Sequence, residues 1–166
     1  LIHGGFNRDA RCLGDAYFLK VNKDGSAAEW APCDFQLLPG QTFPRAQHAG
    51  AMLPGNPNFG YIFGGYDGAR NLQDLLVFSL DFKGTDNKPA MRDVLAGPAP
   101  EARCRHTAHA IGSQLFVIGG YNGTLPWAPD VWTLDTEDAP QIMQKLAAAP
   151  AGGRRRSSSQ NLENAQ

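Results

Sequence analysis

Little in this sequence could hold a covalent framework. Its three cysteines, Cys12, Cys33 and Cys104, lie far apart and form no C-x-x-C pair. An odd, unpatterned set excludes a disulfide scaffold and fits a reducing compartment, so a cytoplasmic location is expected. No apolar stretch approaches the ~18 residues that a membrane helix requires, so no membrane contact is expected. Nor does a secretory leader open the chain. It begins Leu1-Ile2-His3-Gly4-Gly5 without an initiator Met, and the natural N-terminus is expected upstream. Charge is sparse: 19% of residues are charged and the net charge is −1. Without a broad basic field, nucleic acid is not an expected partner.

Catalytic signatures are missing too. There is no G-x-S-x-G, no P-loop and no Cys/His pair in a recognisable setting. The histidines are His3, His48, His106 and His109. His106 and His109 stand three apart on an expected strand, so they point to opposite faces and cannot share a metal. The acidic residues sit in turns, where solvated loop carboxylates are the rule. No catalytic residue, no metal and no cofactor is assigned.

What the chain does have is glycine (19), proline (12) and a 42% hydrophobic fraction over 166 residues. That mixture favours many short elements joined by turns. Self-comparison then finds a repeat. Leu1-Ile2-His3-Gly4-Gly5-Phe6, Tyr61-Ile62-Phe63-Gly64-Gly65-Tyr66 and Phe116-Val117-Ile118-Gly119-Gly120-Tyr121 superimpose without gaps. Each doublet is followed at near-constant distance by a second landmark centred on Tyr17, Phe78 or Trp132. A third landmark, Arg-x-x-His, precedes two doublets as Arg45 to His48 and Arg103 to His106.

These landmarks read as strands. Small, apolar runs at 49–53 and 107–111 suit a crowded inner strand, and continuous apolar runs at 60–65 and 115–120 suit a strand buried on both faces. The third strand alternates, with Val131 and Thr133 opposite Trp132 and Leu134. A fourth strand is expected around Glu29 to Ala31, Met91 to Leu95 and Ile142 to Leu146. Turn-rich links separate them, including Asn22-Lys23-Asp24-Gly25 and Pro54-Gly55-Asn56-Pro57-Asn58, the latter read as an insertion running to Gly60.

The three landmarks in register resemble the kelch repeat, over about residues 1–140. The resemblance implies an all-β fold: a kelch-type β-propeller fragment of about three four-stranded antiparallel blades, the first incomplete. Residues 1–43 form a partial blade, 44–97 and 98–147 two blades, and 148–166 a basic Ser-rich tail or the start of a further blade. Propellers have 4–8 blades, so an arc of three implies remaining blades from the same full-length chain.

The resemblance also sorts residues by role. Gly4, Gly5, Gly64, Gly65, Gly119 and Gly120 let neighbouring backbone and a large aromatic approach closely, and Tyr17, Phe78 and Trp132 fill the space between blades. Arg45 and Arg103 are structural, bonding carbonyls where each blade opens. The segments after each doublet and those opening each blade line one rim, which gives Arg8, Arg11, Tyr66, Arg70, Asn71, Arg105, Tyr121, Asn122 and Trp127 as partner-binding residues. Arginines and aromatics dominate protein-binding hot spots, so a protein partner is expected. Residues 141–166 carry Lys145, Arg154, Arg155 and Arg156 against Glu163, and Arg154 to Ser159 resembles a basophilic kinase site. The function expected is a non-catalytic protein-binding module of a larger kelch protein, in an adaptor or scaffold role. The alternative is part of a kelch-propeller enzyme: a galactose-oxidase-like oxidase, or a kelch region fused to a catalytic domain.

Overall fold

The computed structural model describes residues 1–35, 43–54, 56–83, 89–93, 99–124 and 129–136, and all regular structure among them is β. Ten strands form three separate antiparallel sheets, one per blade. Blade 1 contains β1 (Ile2–His3), β2 (Ala16–Val21) and β3 (Ala28–Pro32) in that order. Blade 2 contains β4 (Ala49–Leu53), β5 (Asn56–Tyr66), β6 (Asn71–Lys83) and β7 (Pro89–Asp93). Blade 3 contains β8 (Thr107–Ile111), β9 (Gln114–Ile118) and β10 (Val131–Asp135), ordered β10-β9-β8. The fourth strand expected at 142–146 lies outside the described residues.

The apolar run on β5 is continuous because both its faces are covered. Alternate side chains go to opposite sides of a strand, and cross-strand partners share a face. Ile62 opposes Leu76, and Phe78 opposes Met91. These four pack with Ala16, Cys33 and Phe35 of blade 1, and with Phe18 at the margin. On the other face Tyr61 opposes Val77 and Phe63 opposes Leu75. They pack with Leu115 and Val117 of blade 3, joined by Ala108 and Trp132. Each large apolar side chain so buried contributes roughly 1.5–3 kcal/mol. The core is therefore two seams, one on each side of blade 2.

Three elements differ from their sequence expectation. Residues 56–59 are not a loop: Leu53 pairs with Asn56 across a bulge, and β5 runs unbroken from there. The reason is lateral pairing, since Phe59 finds a partner in Ser79 on β6. β6 begins at Asn71, well before its aromatic landmark, because Tyr66 and Asn71 already pair across the rim turn. β9 stops at Ile118, short of the run expected to 120, although Gly119 N–H still donates to Asp130 O. No helix of the described residues is long and apolar enough to cross a membrane.

Candidate functional site

The two seams are fastened by the same set of bonds. Arg45 N–H donates to Leu13 O of blade 1, and Gly5 N–H donates back to Arg45 O. One blade on, Arg103 N–H donates to Leu72 O and Gly65 N–H to Arg103 O. While the preceding blade clamps the backbone, each guanidinium reaches into its own blade. Arg45 Nη1 donates to Gly64 O at 2.9 Å, and its fork grips Asp74 at 2.7 and 2.6 Å. Arg103 Nη1 donates to Gly119 O at 2.9 Å, with its fork on Asp130 at 2.6 and 2.9 Å. Both arginines are fully buried, a burial that bidentate pairing makes tolerable. Arg103 and a bond from Trp132 Nε1 hold the Asp130 carboxyl down at about 2.

These bonds explain the doublets. A Cβ on Gly64 would stand 2.7 Å from Arg103 O, and one on Gly65 2.7 Å from His48 Cβ. The neighbours are thus the next blade's carbonyl and the blade's own histidine. The close approach to a large aromatic falls on Gly60 instead, where a Cβ would meet Phe78 Cε1 at 2.8 Å.

The Arg-x-x-His histidines also belong to the seams. His106 Nε2 lies 3.1 Å from Phe63 O, and His48 Nε2 lies 3.3 Å from His3 Nδ1. Burial depresses all three rings, His3 to about 3 and His48 and His106 to about 4. Mutual repulsion and the Arg45 charge depress His3 further. They are neutral at neutral pH. Among the described residues no group of three or more His, Cys, Asp or Glu could hold a metal ion.

Above the seams the chain turns outward and the rim opens. Three capped loops follow the doublets. Asn7 Oδ1 accepts from the N–H of Asp9 and Arg11, Asp67 Oδ1 from Ala69 and Arg70, and Asn122 Oδ1 from Thr124. Isolated bridges Ala46–Tyr66 and Cys104–Tyr121 tie the post-doublet aromatics to the segment that opens each blade. Across the first seam Cys12 Sγ donates to Tyr66 O at 3.2 Å, and across the second Asn71 Nδ2 donates to Tyr121 O at 3.3 Å.

Between these loops lies a cavity of about 550 Å³. Phe6 of blade 1, Gln47, Tyr66 and Asn71 of blade 2, and Cys104, Arg105 and Tyr121 of blade 3 line it. Gln47 and Arg105 are equivalent residues, each just before the seam histidine, and both are left-handed, at φ 56° and 58°. Arg105 N–H donates to Gln47 O, so the two are coupled across the seam. A non-glycine residue in this region costs about 1 kcal/mol, and such strain gathers where side chains are aimed at ligands.

Four of the residues expected to bind a partner, Tyr66, Asn71, Arg105 and Tyr121, thus meet in one cleft. Arg8, Arg11 and Arg70 are exposed on the rim loops outside its lining, Arg70 being 3.6 Å from Asp67. Asn122 is engaged by Glu101 at 2.7 Å. Trp127 lies outside the described residues. Among the residues expected to be structural, Phe78 is buried in the first seam, Trp132 packs on the second, and Tyr17 sits half-buried on blade 1. Sequence reasoning had put Phe6 and Gln47 in rim segments without singling them out, and it missed Cys104. Its only signal was its place between Arg103 and Arg105.

Three antiparallel sheets joined by recurring seams define the β-propeller class. Residues 102–138 match the family model described as the kelch motif, which spans blade 3 from its opening arginine to the end of β10. This is a kelch-repeat chain. Human host cell factor 1 is 33% identical over 119 residues, covering 69% of this chain. Human host cell factor 2 is 31% identical over 120 residues, again 69% of this chain. The flagellar outer-arm dynein alpha chain of Chlamydomonas reinhardtii is 33% identical over 91 residues, 55% of this chain. The chain spans only 5%, 14% and 2% of those relatives respectively.

Proposed function

We propose that this chain is a non-catalytic protein-recognition module that engages its partner through the rim cleft. One observation carries the reading: seven residues from all three blades converge on one cavity of about 550 Å³. Aromatic rings that are neither buried nor fully exposed, beside an arginine and two amides, are the composition from which binding hot spots are made. The surrounding rim arginines Arg8, Arg11 and Arg70 would steer an acidic partner without lining the contact itself. An adaptor or scaffold role in the cytoplasm, within a longer kelch protein, is consistent with this.

A photo-crosslinking amino acid in place of Tyr121 tests the reading, with the same group at Lys23 on the far turn of blade 1 as control. The cleft position should capture a discrete protein that the control does not, and Tyr66→Ala or Arg105→Ala should abolish the capture. Identical adducts from both positions would sink the assignment.

A further inference from the structure

Of the asparagines in this chain, Asn122 alone is followed by glycine. A following side chain crowds the next backbone nitrogen, and Pro57 after Asn56 has no N–H at all. Gly123 is exposed at φ 104°, and a Cβ placed on it would meet nothing within 4 Å. Its N–H has no acceptor among the described residues. This openness does not depend on what flanks blade 3. Gly68, the equivalent glycine of blade 2, is equally exposed and open with a blade on either side.

The amide beside this free nitrogen is polarised. Asn122 Oδ1 accepts from Thr124 N–H at 3.2 Å and from Thr124 Oγ1–H at 2.9 Å. Two donors on one carbonyl oxygen draw electrons from Cγ and stabilise the negative charge that builds on the oxygen during attack. Blade 2 supplies the contrast in Asp67-Gly68. Burial pushes the Asp67 carboxyl up, but bonds from Arg70 and Ala69 outweigh it and hold the group below its usual range. Ionised at neutral pH, that carboxylate resists a nucleophile, whereas the uncharged Asn122 amide does not.

We propose that Asn122 is a self-modification site, at which the folded chain converts an amide into a carboxylate. Gly123 N bonds to Asn122 Cγ, and its proton departs with the side-chain nitrogen as ammonia, leaving a cyclic imide. Water then adds to either imide carbonyl and opens the ring to aspartate or isoaspartate. No oxidant, reductant or second protein is required. The product rearranges the rim. Asn122 Nδ2 donates to Glu101 Oε2 at 2.7 Å, a bond that neither product can donate at neutral pH. Two carboxylates then face each other and repel. Isoaspartate also adds a backbone carbon directly after Tyr121, which lines the cleft. The chemistry is independent of what the cleft binds.

Peptide mapping by mass spectrometry of the full 166-residue chain, aged folded at neutral pH, tests the modification. The acid form should accumulate at Asn122 several-fold faster than at the turn asparagines Asn7 and Asn22, with isoaspartate among the products. Thr124→Val keeps the N–H and the shape but drops the hydroxyl, and should slow the conversion several-fold. An Asn122 amide as durable as those of Asn7 and Asn22, or one that converts only in urea, would overturn the proposal. An unchanged rate in Thr124→Val would remove Thr124 from it. Asn122→Asp reads the consequence without ageing. It should lower the Tm of the wild type but not that of Glu101→Gln, whose amide can donate to the new carboxylate. Equal shifts in both backgrounds would sink the rearrangement at Glu101.

Discussion

Arg45 and Arg103 carry three tasks each: the backbone carbonyl takes a bond from the preceding doublet, the guanidinium bonds the blade's own doublet, and the fork holds an aspartate. Lysine would keep the charge and lose the fork. Arg103→Ala removes the packing and bonds of a fully buried guanidinium and leaves Gly119 O without a donor, while the part-exposed Asp130 carboxylate is left to water, and it should cost about 3 kcal/mol in denaturant unfolding. Arg103→Lys should recover only a minor part of that loss. A full recovery would show that charge alone matters. The glycines offer a second comparison, because Gly65 and Gly68 have nearly the same φ, 101° and 102°, in different surroundings. A Cβ at Gly65 meets His48, whereas one at Gly68 meets nothing within 4 Å. Gly68→Ala should cost about 1 kcal/mol for its backbone alone, and Gly65→Ala at least twice as much. Equal losses in Tm would show that conformation, not seam contact, sets the requirement for glycine.

At the scale of the element, the seam behaves as a unit with its own pH dependence. The three seam histidines titrate at about 3 to 4 when folded against 6.5 when exposed, because burial penalises the charged ring. Above pH 6.5 neither state binds a proton and stability is flat. Between 6.5 and about 4 the unfolded chain takes up protons that the folded chain refuses, so stability falls as acid is added. Each ring contributes a slope of up to ~1.4 kcal/mol per pH unit. Urea midpoints from pH 8 to pH 4 should show this loss, and His106→Gln should flatten the slope by one ring's share. A slope unchanged in that variant would remove His106 from the account. Strand positions and blade order were legible in the sequence because Gly-Gly, Arg-x-x-His and the aromatic landmark recur in register. The seams were less so. That His48 and His106 pack on the preceding blade depends on how blades stack, which a local pattern does not record. The run at 56–59 read as a loop because Pro57 and the asparagines signal a turn, and lateral pairing to β6 overrode that signal. In the cleft, the aromatics and Arg105 stood out by residue type. The left-handed backbone of Gln47 and Arg105 did not, since neither is a residue that favours it.

Across the whole molecule, stability should be graded from the centre outward. Each blade touches only its neighbours, so the energy is close to a sum of blade and seam terms. Blade 2 has apolar neighbours on both faces and four described strands, while blades 1 and 3 each share one seam. Opening blade 2 must break both seams, whereas fraying an outer blade breaks one or none. Amide exchange should therefore be slowest on β5 and β6 around Tyr61 to Phe63 and Leu75 to Phe78, and fastest on β3 and β10. Phe78→Ala removes a ring from the first seam and should cost roughly 3–5 kcal/mol of global stability. Its effect on exchange should be unequal: blade 1 loses protection first, because its only described seam is the damaged one. Blade 3 should keep its own, since the second seam of Tyr61, Phe63, Leu115 and Val117 is untouched. Uniform loss of protection across all three blades would mean that the chain unfolds as one cooperative block, and the seams would not then be separable units.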